Sequence, residues 1–279
     1  NDIKIICLFT TNRKSKNISY LQDKYKINHI FIDFNKFLKF SKTHKSNYLI
    51  CSRIKDNKKF LIKCLKETKS KVMVEKPLFL NSSDYKNFYK FNNRIFICYN
   101  RIFYRNINYL KKKINNKKNY LSVVCPEKNK KSIISNSCHI IAIFCYLFKN
   151  LKVKIYKKLS NIIEVNLYNQ KNLIKIIFSF NNNENFKIET FNNKDKIIIS
   201  PIEKMKIFNN LMIIYKNNIR IYEPKKIMEI NENDYSNNCK PGFFKQMKDF
   251  KLFVIKNKKI LNDLKFGHEV IKICNRIVK

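Results

Sequence analysis

The stretch Val74-Glu75-Lys76-Pro77-Leu78 sets a cation between an apolar run and a residue that fixes a turn. Lys71–Val74 reads as a strand, so Lys76 falls at its carboxyl end, where a parallel sheet opens its ligand crevice. A partly desolvated ammonium in such a place donates to an oxygen or passes a proton. The following apolar run, Arg94–Cys98, ends in the same way on Tyr99-Asn100-Arg101. Further along, His139 lies in Cys138–Phe148, which reads as a helix. Histidine has the intrinsic pKa for proton transfer near neutrality. On spacing alone, two plainer readings stay open: a surface lysine at 76 and a core helix residue at 139.

Placing these residues requires a sheet. Strand-like runs occur at Ile3–Phe9, His29–Ile32, Tyr48–Cys51, Lys71–Val74 and Arg94–Cys98. Helical pieces fall between them over Asn35–Thr43 and around Phe60–Leu65, and Ser82-Ser83-Asp84 can cap another running to about Phe91. That alternation predicts βαβ units and a parallel sheet. The strand ends to inspect are Thr10–Arg13, Cys51–Arg53, Glu75–Pro77 and Tyr99–Arg101.

The second half changes texture. Asn106–Asn115 and Cys138–Phe148 read as helices. Strand-like runs follow at Lys152–Tyr156, Ile162–Leu167, Leu173–Phe180, Phe186–Phe191, Lys196–Ser200, Met212–Tyr215 and Ile219–Tyr222. Many alternate polar and apolar residues, which predicts a sheet with one face solvated or at an interface, and possible self-association through it. Helices over Phe243–Ile255 and Phe266–Val278 close the chain.

Composition bounds the function. The 279 residues include nine cysteines, four histidines, two glycines and no tryptophan, with a formal net charge of +39. The basic residues are spread along the chain, and Lys, Asn, Ile, Phe and Tyr are the products of AT-rich codons, so base composition explains the charge better than nucleic-acid binding does. An odd number of scattered cysteines, with Cys7, Cys51 and Cys98 in or beside apolar runs, reads as buried thiols rather than disulfides. No C-x-x-C pair occurs, and the histidines are far apart, so no metal site is expected. No apolar run reaches membrane-spanning length and no leader pattern opens the sequence, which gives a cytoplasmic protein as the default.

Glu75-Lys76-Pro77, then Cys98-Tyr99-Asn100-Arg101-Ile102-Phe103, then His139 within Ser137–Phe148, and finally Pro241-Gly242-Phe243-Phe244-Lys245-Gln246-Met247, form a set in order. The set resembles the Gfo/Idh/MocA family of NAD(P)-dependent oxidoreductases acting on sugars and cyclitols. The resemblance implies an α/β chain: an incomplete Rossmann-like parallel-sheet domain over residues 1–98, then an α/β domain with a large, mostly antiparallel open sheet over 99–279, the last helices packing back on the first domain. It implies that Lys76 contacts nicotinamide and the reacting hydroxyl, and that His139 is the acid/base. Tyr99, Asn100 and Arg101 would line the cofactor–substrate junction, with Ser135 on the substrate side. Cys51, Ser52, Glu75 and Pro77 would border the cofactor.

Several positions depart from that family. Ser135 and Ala142 stand where carboxylates are common, and Ser52-Arg53-Ile54-Lys55 replaces a proline-bearing turn. No glycine-rich loop is present to approach a pyrophosphate, since Gly242 and Gly267 are the only glycines. The glycine-bearing first strand and helix are therefore expected before Asn1 or missing, with Ile3–Phe9 as the second strand. Its end, Thr10-Thr11-Asn12-Arg13, is neutral or basic, so Thr10, Thr11 and Arg13 favour the 2′-phosphate of NADP over NAD. Two alternatives remain beside the enzyme: a non-catalytic sugar-binding or partner-subunit relative, and a basic nucleic-acid-binding protein.

Overall fold

Five short strands alternate with helices through the first third of the chain: β1 (Cys7–Phe9), α1 (Lys16–Tyr25), β2 (His29–Phe31), α2 (Phe34–Thr43), β3 (Tyr48–Ile50), α3 (Ile54–Glu67), β4 (Val72–Val74), α4 (Ser82–Lys86) and β5 (Ile95–Ile97). The structure, a computed structural model, describes residues 4–12, 16–114, 118–181, 183–191, 195–216, 219–235 and 239–279. Local chemistry starts the helices where it can. Asp33 accepts from the amides of Asn35 and Lys36 at the head of α2. The Ser82-Ser83-Asp84 cap does not form: Asn81 takes the capping position without a side-chain bond, α4 ends at Lys86, and a tighter turn covers Tyr89–Arg94.

All the strand pairs in this part are parallel, but they form two sheets rather than one. β1 pairs with β2, while β3, β4 and β5 form a separate trio. The break falls between the second and fourth strands of a doubly wound order, the place such a sheet gives its first strand. Side chains bridge it: the Phe9 ring lies 5.2 Å from Phe60 of α3, and Phe37 of α2 lies 6.0 Å from Tyr48 of β3.

The rest of the chain supplies α5 (Arg105–Ile114), β6 (Asn119–Glu127), α6 (Cys138–Leu147), β7 (Lys152–Lys158), β8 (Ile162–Tyr168), β9 (Asn172–Phe180), β10 (Lys187–Phe191), β11 (Asp195–Ile199), β12 (Lys204–Lys216), β13 (Ile219–Asn231), α7 (Phe243–Lys256) and α8 (Leu264–Val278). Eight strands form one sheet in the order β13-β12-β11-β10-β6-β9-β8-β7. Only β6 and β9 run parallel. β6 is a central strand absent from the runs read in the sequence, and it carries Pro126. Its pairing with β10 stops at Val124, so the proline removes no donor from that ladder. β12 and β13 run well past their expected ends, and their outer halves carry exposed Leu211, Ile213, Tyr215, Ile219 and Tyr222.

One apolar core continues from β3–β5 through α8 and α6 into the large sheet. Phe250 and Phe253 of α7 pack on Met73 and Phe96, covering one face of β4 and β5. Leu49 stands in register with Met73 and Phe96 on that face, yet it is 54% exposed while they are buried. The helical cover therefore stops short of β3.

Candidate functional site

β4 ends at Val74, and the turn after it is anchored on both sides. The Glu75 amide donates to Ile50 O at 3.0 Å, and the Cys98 amide donates to Val74 O at 2.9 Å. The Lys76–Pro77 peptide is cis. Lys76 leaves the strand end half-buried, and its Nζ donates to the carbonyl oxygen of Ser135 at 3.1 Å. Ser135 belongs to a widened helical turn, Ile133–Ser137, that runs directly into α6. The strand-end lysine is thereby tied to the helix that carries the histidine.

His139 is 8% exposed, and its Nδ1 is buried without a hydrogen-bond partner. Burial, then the charges of Lys76 and Arg101, hold its pKa well below the ordinary imidazole value, so it is neutral at neutral pH. Tyr99 meets the imidazole edge-on, with ring centroids 6.3 Å apart. Phe266 of α8 contacts the same tyrosine at 5.7 Å. Tyr99 is fully buried against His139 and Phe266 and presents no surface to a ligand.

After β5, Asn100–Phe103 makes a single tight turn. Asn100 Nδ2 donates to Pro241 O at 3.0 Å, and a Cβ on Gly242 would stand 2.4 Å from Asn100 O. Gly242 also has a φ of +78°, so this close approach admits glycine alone. Asn100 is spent on that clamp and is buried, rather than lining a junction as the sequence suggests. The clamp orients Arg101, whose guanidinium lies 5.6 Å from the centre of the Phe186 ring and whose Nη1 is buried without a hydrogen-bond partner.

Glu127 was not found by sequence reasoning. It ends β6, is 6% exposed, and accepts from Ser137 Oγ and from Asn136 Nδ2, the latter at 3.2 Å to each oxygen. Burial raises its carboxyl pKa, and the bonds from Ser137 and Asn136 and the Lys76 charge offset part of the rise. A carboxylate thus reaches the helix entry from a strand, although Ser135 lacks one. The period-two pattern of Leu121, Val123 and Cys125 was the available signal.

Other expected residues are less central. Cys51 is exposed, in contrast to the buried-thiol reading, because it lies past the end of β3. Ser52 Oγ donates to Asn57 Oδ1 at 2.8 Å. Thr10 Oγ1 closes a small turn with the Asn12 backbone, and Thr11 is exposed. Arg13 lies outside the described residues. All nine cysteines are free, and no metal-ligating cluster occurs among the described residues. Among the described residues, no helix is long and apolar enough to cross a membrane.

A dinucleotide needs backbone amides close to its pyrophosphate. Gly242 backs onto Asn100 and Tyr104, and Gly267 onto Ile97 and Tyr85, so neither forms that cradle. Among the described residues, no glycine supplies a cradle for the phosphates of NAD or NADP.

No family model and no curated protein matches the sequence. Solved structures do match the fold. A structure described as an NADPH-dependent oxidoreductase from Desulfitobacterium hafniense superposes with a TM-score of 0.78 at 8% identity, over 99% of this chain and 87% of that one. A Gfo/Idh/MocA family oxidoreductase from Vibrio cholerae gives 0.75 at 12% identity, over 99% and 89%. A UDP-N-acetylglucosamine 3-dehydrogenase from Acidithiobacillus ferrooxidans gives 0.70 at 10% identity, over 98% and 95%. With its small parallel sheets followed by an eight-stranded, mostly antiparallel sheet, the chain has the two-domain fold of the Gfo/Idh/MocA oxidoreductases.

Proposed function

We propose that this chain is an oxidoreductase acting on a hydroxyl-bearing carbon of a sugar or cyclitol derivative, with NADP or NAD as hydride partner. One observation carries the reading: Lys76 Nζ is bonded to the helical turn that leads to a neutral His139 whose Nδ1 has no hydrogen-bond partner. A cation beside a reacting oxygen stabilises developing alkoxide charge, and a neutral imidazole can take the hydroxyl proton. The two form a donor–acceptor pair at the carboxyl end of β4. Similarity to an NADPH-dependent oxidoreductase and a sugar-nucleotide dehydrogenase supports the substrate and cofactor classes. Neutral Thr10 and Thr11 at the end of β1 support NADP over NAD. The roles assigned to this chain end at the hydroxyl, because no glycine among the described residues forms a phosphate cradle. We place the activity in the cytoplasm, with a second copy docking through the large sheet.

Ser135 and Ala142, neutral residues flanking His139, favour a second reading, a relative that binds a sugar without turning it over. Mixing the protein with NADPH or NADH and a panel of sugars and keto-sugars, while following nicotinamide absorbance and sugar binding, separates the two. Turnover supports the enzyme. Binding without turnover supports the second reading, and neither would overturn both.

A further inference from the structure

The outward face of the large sheet holds a groove of about 640 Å³ where β6, β9, β8 and β7 lie side by side. Strand register builds it. Tyr120 of β6 and Tyr168 of β8 both stand opposite Leu173 of β9, while their chain neighbours Leu121, Leu167 and Ile174 are buried. Period-two alternation therefore turns the two tyrosines and Leu173 to solvent together. Two strand spacings, about 10 Å, separate the tyrosine backbones, which leaves room for a separate flat ring on each. Tyr156 of β7 adds a third exposed ring. Lys118, Lys154 and Lys171 line the same groove and are exposed. None of the three joins an ion pair among the described residues, and no described lining residue is acidic. Glu164 and Glu189, on the same sheet face, are held by Lys175 and by Lys187 and Lys196. The end of the groove is fixed in place: Asn169 Oδ1 accepts from the amides of Lys171 and Asn172 at 3.0 and 2.9 Å, and Asn172 Oδ1 accepts from Asn119 Nδ2 at 2.8 Å.

We propose that this groove binds single-stranded nucleic acid, with bases stacked on Tyr120, Tyr156 and Tyr168 and backbone phosphates on Lys118, Lys154 and Lys171. Every base presents a π-face, so exposed aromatic rings hold a single strand without regard to sequence, and lysines without acidic partners neutralise its phosphates. The chain's charge of +39 is spread too evenly to select a face, and the three rings select this one. A duplex keeps its bases stacked on each other and away from the tyrosines. An acidic polysaccharide satisfies the lysines but has no π-face to set on the rings. A second copy brings the same positive charge, and the exposed apolar residues of β12 and β13 that suit it lie at the other end of the strand order. The groove shares no residue with the Lys76–His139 pair, so either function stands without the other.

Fluorescence anisotropy on the whole protein at about 0.15 M salt compares labelled oligouridylate and oligothymidylate of about 12 nucleotides with a duplex of the same length and with labelled heparin. At least one of the single strands should bind at least about tenfold tighter than the duplex. Tyr120→Ala and Tyr168→Ala should each weaken that binding at least about fivefold, the loss of one stacked base, while Tyr168→Phe keeps it. A melting curve records that each variant folds. Replacing Lys118, Lys154 and Lys171 together by glutamine should reduce the slope of log affinity against log salt by about 2, the share of three phosphates on a single strand. Duplex bound as tightly as either single strand, affinity indifferent to the tyrosines, or no binding of either single strand would each overturn the proposal. Heparin binding that falls with the tyrosine substitutions as much as oligonucleotide binding does would assign the groove to an acidic polysaccharide and overturn it too.

Discussion

The Lys76 ammonium donates to the carbonyl of Ser135 at 3.1 Å, which joins the turn after β4 to the helical turn leading into His139. Lys76→Met removes this donor and the cation together. Nicotinamide-linked turnover should fall about 10²–10³-fold, the loss typical of one oxyanion-stabilising donor. Stability should change by less than about 1 kcal/mol, since a single half-exposed hydrogen bond is removed. Parallel rate and urea-unfolding measurements check both. A variant that unfolds would assign Lys76 to structure.

Acid should weaken the fold through His139. Its folded pKa is depressed by burial and by the two cations, so below about 6.5 the unfolded chain takes up a proton that the folded chain refuses. The stability it contributes is complete above that value and is lost as pH falls toward the folded pKa. Glu127 has a raised pKa and works in the opposite sense, its contribution fading as pH rises. The informative quantity is therefore a difference. Between about pH 7 and about pH 5, melting temperature should drop more steeply in the wild type than in His139→Asn. Parallel slopes would contradict the assigned protonation.

Glu127→Ala should destabilise the protein by about 1–3 kcal/mol, because it leaves the buried Ser137 hydroxyl without its acceptor. Glu127→Gln should cost less, since an amide oxygen still accepts. Equal effects in chemical denaturation would show that charge, rather than hydrogen bonding, is what matters there.

Gly242→Ala should cost more than Gly267→Ala. The first adds strain at a φ of +78° and drives a Cβ to 2.4 Å from a backbone oxygen, while the second meets the mobile end of Ile97 at 2.3 Å. We expect about 1–3 kcal/mol for Gly267→Ala and more for Gly242→Ala.

The divided parallel sheet should appear in amide exchange. A two-stranded pair has little independent stability. Amides of β1 and β2 should exchange at least about tenfold faster than those of β4 and β5. Uniform protection would mean that the sheets open as one.

The strand-end motifs were legible in the sequence because turn chemistry is local: Glu75-Lys76-Pro77 and Tyr99-Asn100-Arg101 each follow a continuous apolar run. The helix bearing His139 was legible for the same reason. What each side chain does there was not legible. Tyr99 and Asn100 sit beside Arg101 at the same short turn, yet packing buries both and leaves the arginine half-buried over Phe186. β6 and its Glu127 were not read from the sequence; the strand accommodates Pro126 because the β10 ladder stops at Val124.

The pairing of Lys76 with His139 in chemistry on a sugar hydroxyl is tested most directly by nicotinamide-linked turnover across sugars and sugar acids, in the wild type, Lys76→Met and His139→Asn. The account predicts wild-type turnover that each substitution reduces at least about 10²-fold with the fold retained. Turnover that survives both substitutions would contradict it.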